Sequence, residues 1–416
     1  MSARDIVFAL GRDHTVDILD PSPVCQLRFS SLIRRWYRCP PYSRDPQAYL
    51  NFLLKRLQAE KYDVLLPTHE QTYLLSRFRD TIEQYVGLAV PDFAALEQMQ
   101  SKAEFARLLD RLEIPSPPTR FVQTRGELEQ HADFPCFVKV DFSTAGRGVW
   151  HVHNQDELRA AAAEIDFSIG HEVLVQQPAI GNQCTALAVF DSGRMLMCLP
   201  FHIRKPGVGG WGMNGESVDH PEVVEHLRQM GEHLNFHGAL FVDYFFDAQR
   251  RIAQYIEANP RLGAALFPAL CGQDVANLFL DLSLGRPVQP LPAPQVGVRY
   301  HQGFLMLISA AKSGATRWQL LRELYDSIRG RGFYANSTDT ITQPRADWLS
   351  VIPATAVTLL LLARPQASHW LVRRTLENYA LSEGGVQAIR DMAIEAPEER
   401  CSAVGVTAQP TTGRSC

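Results

Sequence analysis

The first 95 residues alternate short apolar runs with an amphipathic segment. Pro46–Glu60 places Tyr49, Leu53 and Leu57 at helical spacing, which predicts a helix. The apolar runs, each followed by a glycine or proline within two residues, predict strands at Asp5–Leu10, His14–Leu19 and Tyr62–Leu66. Because strands that alternate with helices form parallel sheets, we predict an N-terminal α/β unit over residues 1–95.

Residues 96–289 predict a second, larger α/β unit. Ser101 and Glu104 have the spacing of a capping box, so a helix begins there and ends before the Pro115–Pro118 linker. Glu222–Leu234 predicts a further helix, and Asp191–Gly193 is typical of a hairpin turn. The predicted strands are Cys136–Val140, Val173–Gln176, Ala186–Phe190, Met195–Leu199, Gly238–Phe246 and Ile252–Glu257.

The proline-rich segment Pro290–Pro294 marks the boundary to a mostly helical unit over residues 290–394. Its longest apolar stretch, Val351–Ala363, has 13 residues. A membrane span needs about 20, so we predict a buried core helix instead. Residues 395–416 are polar, with proline, glycine and threonine, and predict a flexible tail.

The composition is that of an ordinary globular protein: 46% of the 416 residues are hydrophobic and 21% are charged. The net charge of -4 argues against a general nucleic-acid binder. Eight cysteines occur without a C-x-x-C pair, which gives no support to a zinc ribbon or a thioredoxin-type site. Because Arg4 and Asp5 flank a short apolar run, we expect no signal peptide, no membrane attachment and a cytoplasmic protein.

The segment Tyr255–Arg261 is the strongest candidate for chemistry. Glu257 and Asn259 are two residues apart, so on a strand both side chains point to one face. Asp243 lies on the preceding predicted strand, and a hairpin could bring it beside Glu257. Their oxygens suit Mg²⁺, and the permanent charge of Arg261 suits a phosphate or a carboxylate. An ordinary hairpin with a polar outer face is the alternative interpretation.

A second candidate is Lys139, which lies within an apolar strand where a charge is costly unless it has a partner. It is followed by the small-residue loop Ser143–Gly148. Gly146 and Gly148 would let the loop backbone approach a ligand, so its N–H groups could cover phosphates. No G-K-[ST] sequence closes the loop, and a flexible hairpin turn explains it equally well.

Taken together, these motifs follow the order and approximate spacing of the ATP-grasp superfamily. The chain resembles its biotin carboxylase and carbamoyl-phosphate synthetase branch, most closely the stand-alone carboxylate–amine ligases. The resemblance covers roughly residues 1–290 and includes the segments Tyr62–Gln71 and Leu112–Pro118, the latter following Lys102. It implies an α/β (α+β) protein with the ATP-grasp fold, a Rossmann-like N-terminal domain and a mostly helical C-terminal region. Within the ATP-grasp domain, the resemblance implies a mobile lid over about residues 131–200.

The resemblance also implies a role for each matching position. Asp243 and Glu257 would hold one Mg²⁺ and Glu257 with Asn259 a second, with Mn²⁺ as a substitute. Arg261 would stabilise charge on the transferred phosphoryl group. The residues implied to contact ATP are Lys102, Lys139, Ser143, Gly146, Gly148, Gln176, Gln177, Ile180 and Gln183.

The segment implied to hold adenine, Val173–Gly181, departs from the family pattern. The family commonly has glutamate there, whereas this chain has Gln176 and Gln177. Gln183 or Cys184 stands where an acidic residue often binds the ribose. A glutamine still accepts a hydrogen bond through its amide oxygen, so altered nucleotide binding is the expected consequence.

The glycine-rich segment Phe201–Gly212 lacks the strand–turn–helix context of a dinucleotide site. In the family that the chain resembles, the corresponding segment lies near the acceptor site, so Arg204 and Lys205 are candidates for holding a substrate carboxylate. A solvated loop is the alternative. His69 and Glu70 follow a predicted strand, where they would either touch substrate or cap the next helix.

The function implied by the resemblance is ATP-dependent ligation of a small-molecule carboxylate, such as an amino acid, to an amine through an acyl phosphate. One alternative is a carboxylase that uses bicarbonate, although the chain has no carrier-type M-K-M segment. A nucleotide-binding regulator without turnover is another, supported only by Gln176 and Gln177 at positions where the family commonly has glutamate. A homodimer is a further expectation, since dimers are common in similar families.

Overall fold

A computed structural model of the chain describes residues 2–23, 25–131, 133–143, 146, 148–169, 172–205, 207 and 212–393. The strands are β1 (Val16–Asp20), β2 (Ile33–Arg38), β3 (Thr119–Val122), β4 (Cys136–Val140), β5 (Val149–Val152), β6 (Val173–Gln176), β7 (Asn182–Asp191), β8 (Arg194–His202), β9 (Asn214–Ser217), β10 (Gly238–Asp247), β11 (Ile252–Asn259), β12 (Arg299–His301) and β13 (Ser337–Asp339). The first eight helices are α1 (Ser2–Leu10), α2 (Pro46–Ala59), α3 (Thr72–Arg77), α4 (Arg79–Ile82), α5 (Phe93–Gln100), α6 (Lys102–Arg111), α7 (Arg125–Glu129) and α8 (Gln155–Glu164). They are followed by α9 (Pro221–His233), α10 (Leu266–Leu270), α11 (Val275–Ser283), α12 (Gly303–Lys312), α13 (Arg317–Arg329), α14 (Val351–Ala363), α15 (Ala367–Tyr379) and α16 (Glu383–Asp391).

The large sheet is the centre of the molecule and has seven strands in the order β11-β10-β7-β8-β9-β12-β13. Side chains of β10 alternate between its two faces, as the period of a strand requires. Val242 and Tyr244 join a core with Phe105 of α6 and Leu227 of α9. Phe241 instead packs against a core on the opposite face, to which α1, α10 and α11 contribute. Both faces of this sheet are therefore covered by helices.

A smaller sheet of four strands, in the order β3-β6-β4-β5, forms its own layer with α7 and α8. Its strands pair antiparallel throughout. The expected lid was residues 131–200, whereas this sheet is built from residues 119–176. Strands β7 and β8 belong to the large sheet instead. The two sheets carry all the motif residues that lie on strands.

The N-terminal unit differs from the predicted strands at two places. Asp5–Leu10 lies in the helix α1, with Ile6, Val7 and Leu10 on its buried side. A six-residue apolar run cannot be assigned to strand or helix by pattern alone. Here packing against α10 and α11 favours the helix. The parallel pair β1–β2 is present, but Tyr62–Leu66 contributes only a single bridge, from Val64 to Gly87.

The C-terminal unit is mostly helical, as predicted, with the short strands β12 and β13 at its start. The stretch Val351–Ala363 forms α14 with the predicted bounds, but the expectation of a buried helix is wrong. Only Ala354 and Leu361 are buried, whereas Leu359 is 61% exposed. Apolar residues lie on all sides of α14, whereas α12, α13 and α15 cover only part of its surface.

Several local predictions are confirmed. The Ser101 hydroxyl caps α6 by accepting from the Glu104 N–H, although the Glu104 carboxylate pairs with Arg107 rather than closing a capping box. The turn between β7 and β8 has positive φ at Ser192 and Gly193, as a tight hairpin requires. In the described part of the chain no helix is both long and apolar enough to cross a membrane. The predicted tail, residues 395–416, lies outside the described residues.

Candidate functional site

The predicted metal ligands come together on one hairpin. Asp243 on β10 pairs directly with Glu257 on β11, and Asn259 pairs with Phe241. Directly paired residues of antiparallel strands project to the same face of the sheet. The ladder is irregular between Asp243 and Tyr244, a feature that re-aims side chains next to functional sites. The hairpin therefore presents two carboxylates and an amide from adjacent positions.

The carboxyl group of Asp243 lies in an unfavourable electrostatic environment. Burial, and then the negative charge of Glu257, raise the pKa of Asp243 from 3.8 to about 6. The Thr185 hydroxyl on β7 donates to Asp243 Oδ1 at 2.6 Å, which opposes this rise, as does the positive charge of Arg261. A carboxyl group whose ionisation is disfavoured by burial and by a neighbouring carboxylate is one that a bound divalent cation would stabilise in its charged form.

The oxygen donors of this set are of the kind that Mg²⁺ prefers. Among the described residues no cluster of three or more His, Cys, Asp or Glu side chains could hold a metal. Mg²⁺ does not need one, because it is usually held by one or two carboxylates together with water and the phosphates of a substrate. Asp243, Glu257 and Asn259 match that requirement through oxygen ligands alone.

Lys139 is buried in the small sheet, at 7% exposure, and still has a hydrogen-bond acceptor. Its Nζ donates to Gln176 Oε1 at 2.6 Å. Burial lowers the pKa of Lys139 to about 8, the charge of Glu257 raises it, and the charge of Lys102 lowers it further. The lysine of the small sheet therefore interacts electrostatically with a carboxylate of the large one.

Lys102 ties the start of α6 to the loop after β4. Its Nζ donates to the carbonyl oxygens of Asp141 and Ser143 at 3.2 and 3.1 Å and to Ser143 Oγ at 3.1 Å. Asp141 Oδ1 in turn accepts from the Ser101 hydroxyl and the Ala103 N–H. The first turn of the helix and the loop thus form one hydrogen-bonded unit.

Of the glycine loop, Ser143, Gly146 and Gly148 are described, and residues 144, 145 and 147 lie outside the described residues. Gly146 and Gly148 both have positive φ, of 74° and 64°. A Cβ on Gly148 would lie 2.3 Å from Val140 Cγ2. A side chain at Gly148 is therefore excluded both by conformation and by space.

In the segment implied to hold adenine, Val173–Gly181, some backbone groups already bond within the protein. The N–H of Gln177 donates to the Pro118 carbonyl at 2.9 Å, and the N–H of Ile180 donates to Gln254 Oε1 at 2.8 Å. Ile180 itself is 56% exposed. The carbonyl of Gln183 accepts from the Ile203 N–H. The side chain of Gln176 points to Lys139, so its amide oxygen already serves a protein group.

Arg261 has a partner that the sequence did not identify. Its Nη1 lies 3.7 Å from Glu70 Oε1, and Glu70 is only 2% exposed. Glu70 Oε2 accepts from the Leu381 N–H at 2.7 Å, so this carboxylate joins the N-terminal unit to the C-terminal helices. The N-cap residue of α3 is Gln71, and its side chain makes no capping hydrogen bond. Only their position after an apolar run could have indicated a role.

None of the interactions described above links Arg204 to Asp243 or Glu257. Its Nη1 donates to the Phe333 carbonyl at 3.0 Å, and its guanidinium lies 4.4 Å from the centre of the Phe333 ring. Its Nε is 3.8 Å from Glu216 Oε2. Burial lowers the pKa of Arg204. The arginine therefore faces the C-terminal unit, beside a segment of which residues 206 and 208–211 lie outside the described residues.

No model of a known protein family matches the sequence. Solved structures do match the fold. The biotin carboxylase domain of 2-oxoglutarate carboxylase from Hydrogenobacter thermophilus is 15% identical, with a TM-score of 0.57 over 72% of this chain and 70% of that one. Two Thermotoga maritima enzymes also match. N5-carboxyaminoimidazole ribonucleotide synthetase is 14% identical, with a TM-score of 0.51 over 72% of this chain and 76% of its own. Phosphoribosylamine–glycine ligase is 16% identical, with a TM-score of 0.51 over 71% of this chain and 75% of its own.

The chain has the ATP-grasp fold. The expected fold class is thereby confirmed. The paired carboxylates of Asp243 and Glu257 lie on the large sheet. Lys139 lies on the small sheet, on the strand that precedes the glycine loop. At 14–16% identity the likeness concerns the fold alone.

Proposed function

We propose that the protein is an ATP-dependent ligase that activates a small-molecule carboxylate as an acyl phosphate and joins it to an amine. The observation that supports this most is the direct pairing of Asp243 with Glu257, on an ATP-grasp fold, within electrostatic reach of Lys139 and Arg261. Two anionic and two cationic side chains at one place suit a metal-bound, highly charged phosphate substrate.

In this proposal Asp243, Glu257 and Asn259 would hold Mg²⁺, which supplies charge neutralisation at the phosphates. Lys139 binds phosphate oxygens. Lys102 directs its three N–H donors to Asp141 and Ser143 and keeps Ser143 in place beside the phosphates. Arg261, held by Glu70, faces the phosphoryl group that is transferred. These residues position and stabilise charge, and none of them acts as a nucleophile.

The proposed reaction has two steps. A carboxylate oxygen of the substrate attacks the γ-phosphorus of ATP, and ADP leaves. The amine then attacks the acyl carbon and loses a proton, phosphate leaves, and an amide remains. Closure of the small sheet over the nucleotide would exclude the water that otherwise hydrolyses the acyl phosphate. Arg204 is proposed to hold an anionic group of the acceptor.

A second candidate function is carboxylation with bicarbonate as the activated carboxylate. It is favoured by the bicarbonate bound, together with MgADP, in the H. thermophilus domain, whose fold this chain shares. The two functions differ only in which carboxylate attacks ATP, so the fold does not separate them.

The deciding experiment measures ADP and phosphate release with Mg-ATP and a panel of amino acids, with and without bicarbonate. The ligase predicts release that depends on a carboxylate and an amine. Stimulation by bicarbonate alone would contradict it and support carboxylation. ATP binding without turnover would indicate a regulator. Glu257→Ala should abolish release, since it removes the carboxylate that would be shared by two ions, and full activity in that variant would refute the site.

A further inference from the structure

Gln176 is held by a relay of hydrogen bonds that fixes which end of its amide faces Lys139. The Thr119 hydroxyl donates to the Pro117 carbonyl at 2.9 Å, so its oxygen is left to accept from Gln176 Nε2, also at 2.9 Å. The amide oxygen therefore points away from Thr119, to Lys139 Nζ at 2.6 Å. Gln176 is 4% exposed, so water does not compete for these bonds.

The strand register explains why these three side chains meet. Strand β6 lies between β3 and β4, where Gln176 pairs with Thr119 on one side and with Phe137 on the other. Lys139 pairs with Leu174, two residues before Gln176, so lysine and glutamine are diagonal neighbours on one face. Long side chains at such positions reach each other without strain.

The acceptor in this relay carries no charge. The charged groups that act on Lys139 are Glu257 of the large sheet and Lys102 of α6, and these have opposite effects. A carboxylate at position 176 would form a buried ion pair with the ammonium and neutralise it. The glutamine orients the ammonium but leaves its charge for another anion.

We propose that Gln176 is a positioning residue, which aims Lys139 at bound phosphate through a neutral hydrogen bond and thereby keeps its charge uncompensated. The proposal rests on the proposed function in one respect: Lys139 must contact the nucleotide. It assigns to Gln176 a role through its side chain rather than a direct contact with adenine.

The test compares wild type with Gln176→Glu, Gln176→Leu and a control, Gln130→Glu, which adds the same charge at an exposed site of the same unit. Calorimetry gives the Kd of ATP between pH 6.5 and 9.5. Because burial lowers the pKa of Lys139 to about 8, wild-type affinity should fall as the pH rises through that value. Gln176→Glu should move this loss to higher pH and weaken binding about tenfold at pH 7, since the carboxylate competes with phosphate.

Gln176→Leu should move the loss of affinity to lower pH, because Lys139 then has no acceptor. Gln130→Glu should behave as wild type. A merely structural role for Gln176 predicts reduced melting temperature with an unchanged pH profile, and that result would overturn the proposal. If Gln176→Glu does not fold, Thr119→Val takes its place. This variant removes the acceptor that orients the Gln176 amide, so the loss of affinity is expected at lower pH, as in Gln176→Leu. Absence of ATP binding in folded wild type would instead overturn the proposed function, and this inference with it.

Discussion

Asp243 and Glu257 lie directly opposite each other on β10 and β11. Ionisation of Asp243 at this position costs free energy. The carboxyl of Asp243 has a pKa of about 6 in the folded chain against 3.8 in the unfolded one. A folded-state pKa that is raised means that ionisation opposes folding. The metal-free protein therefore loses stability when Asp243 is ionised, as expected if the pair is the proposed metal site.

We expect Asp243→Asn to stabilise the metal-free protein at pH 7.5 while abolishing turnover. The rise in the pKa of Asp243 to about 6 corresponds to ~3 kcal/mol of unfolding free energy, which the amide regains in part. The free energy of unfolding of Asp243→Asn should exceed that of wild type by an amount that grows between pH 4 and pH 6 and is constant above pH 6. Urea denaturation at several pH values measures this difference.

The control for this prediction is Asp110→Asn, at an exposed position of α6, which should change neither stability nor its pH dependence. Mg²⁺ with ATP should raise the melting temperature of wild type but not that of Asp243→Asn. A variant that is less stable than wild type at pH 7.5 would show that the carboxylates are not in conflict.

Glu70 of the N-terminal unit contacts both Arg261 and the Leu381 N–H of the C-terminal unit. Two substitutions can separate the effect of its charge from that of its hydrogen bond. Glu70→Gln keeps an acceptor for the Leu381 N–H but removes the negative charge 3.7 Å from Arg261. We expect turnover to fall about tenfold or more with a small change in stability. The measurement is kcat beside the urea midpoint.

Glu70→Ala should in addition lower the free energy of unfolding by about 1–3 kcal/mol, since it leaves a buried N–H and a guanidinium without their carboxylate. Equal activity in Glu70→Gln and wild type would mean that Arg261 needs no carboxylate to be positioned.

Ser101 caps α6 and also bonds to Asp141, which holds the loop that Lys102 contacts. Thr124 caps α7 in the same way, without such a link. Ser101→Ala and Thr124→Ala should each cost about 1 kcal/mol of stability. Only Ser101→Ala should weaken ATP binding, by several-fold in Kd. Equal ATP affinities in the two variants would contradict a link between cap and loop.

The helix α14 offers a matched pair of leucines. Leu361 is fully buried, whereas Leu359, two residues earlier, is 61% exposed. Leu361→Ala should lower the unfolding free energy by about 2–5 kcal/mol, because it leaves a cavity. Leu359→Ala should change it by less than about 0.5 kcal/mol. Similar losses in both variants would show that a partner covers Leu359 in solution.

The sequence was sufficient for the elements whose signal is local. The cap at Ser101, the hairpin turn at Ser192–Gly193 and the strands that carry Asp243 and Glu257 were all predicted, since each depends on neighbouring residues. Period-two alternation also indicated that Glu257 and Asn259 share a face. The order of the motifs along the chain led to the ATP-grasp fold, which the structure confirms.

Where packing between distant segments decided the outcome, the local pattern was not enough. Asp5–Leu10 is as apolar as a strand, but its contacts with α10 and α11 make it a helix. The sequence likewise could not predict that Gln176 would bond to Lys139, or that Glu70 would lie beside Arg261, because these pairs are 37 and 191 residues apart. Hydrophobic periodicity records which face of an element is buried, but only the assembled structure determines which polar groups meet there and whether their charges are compensated.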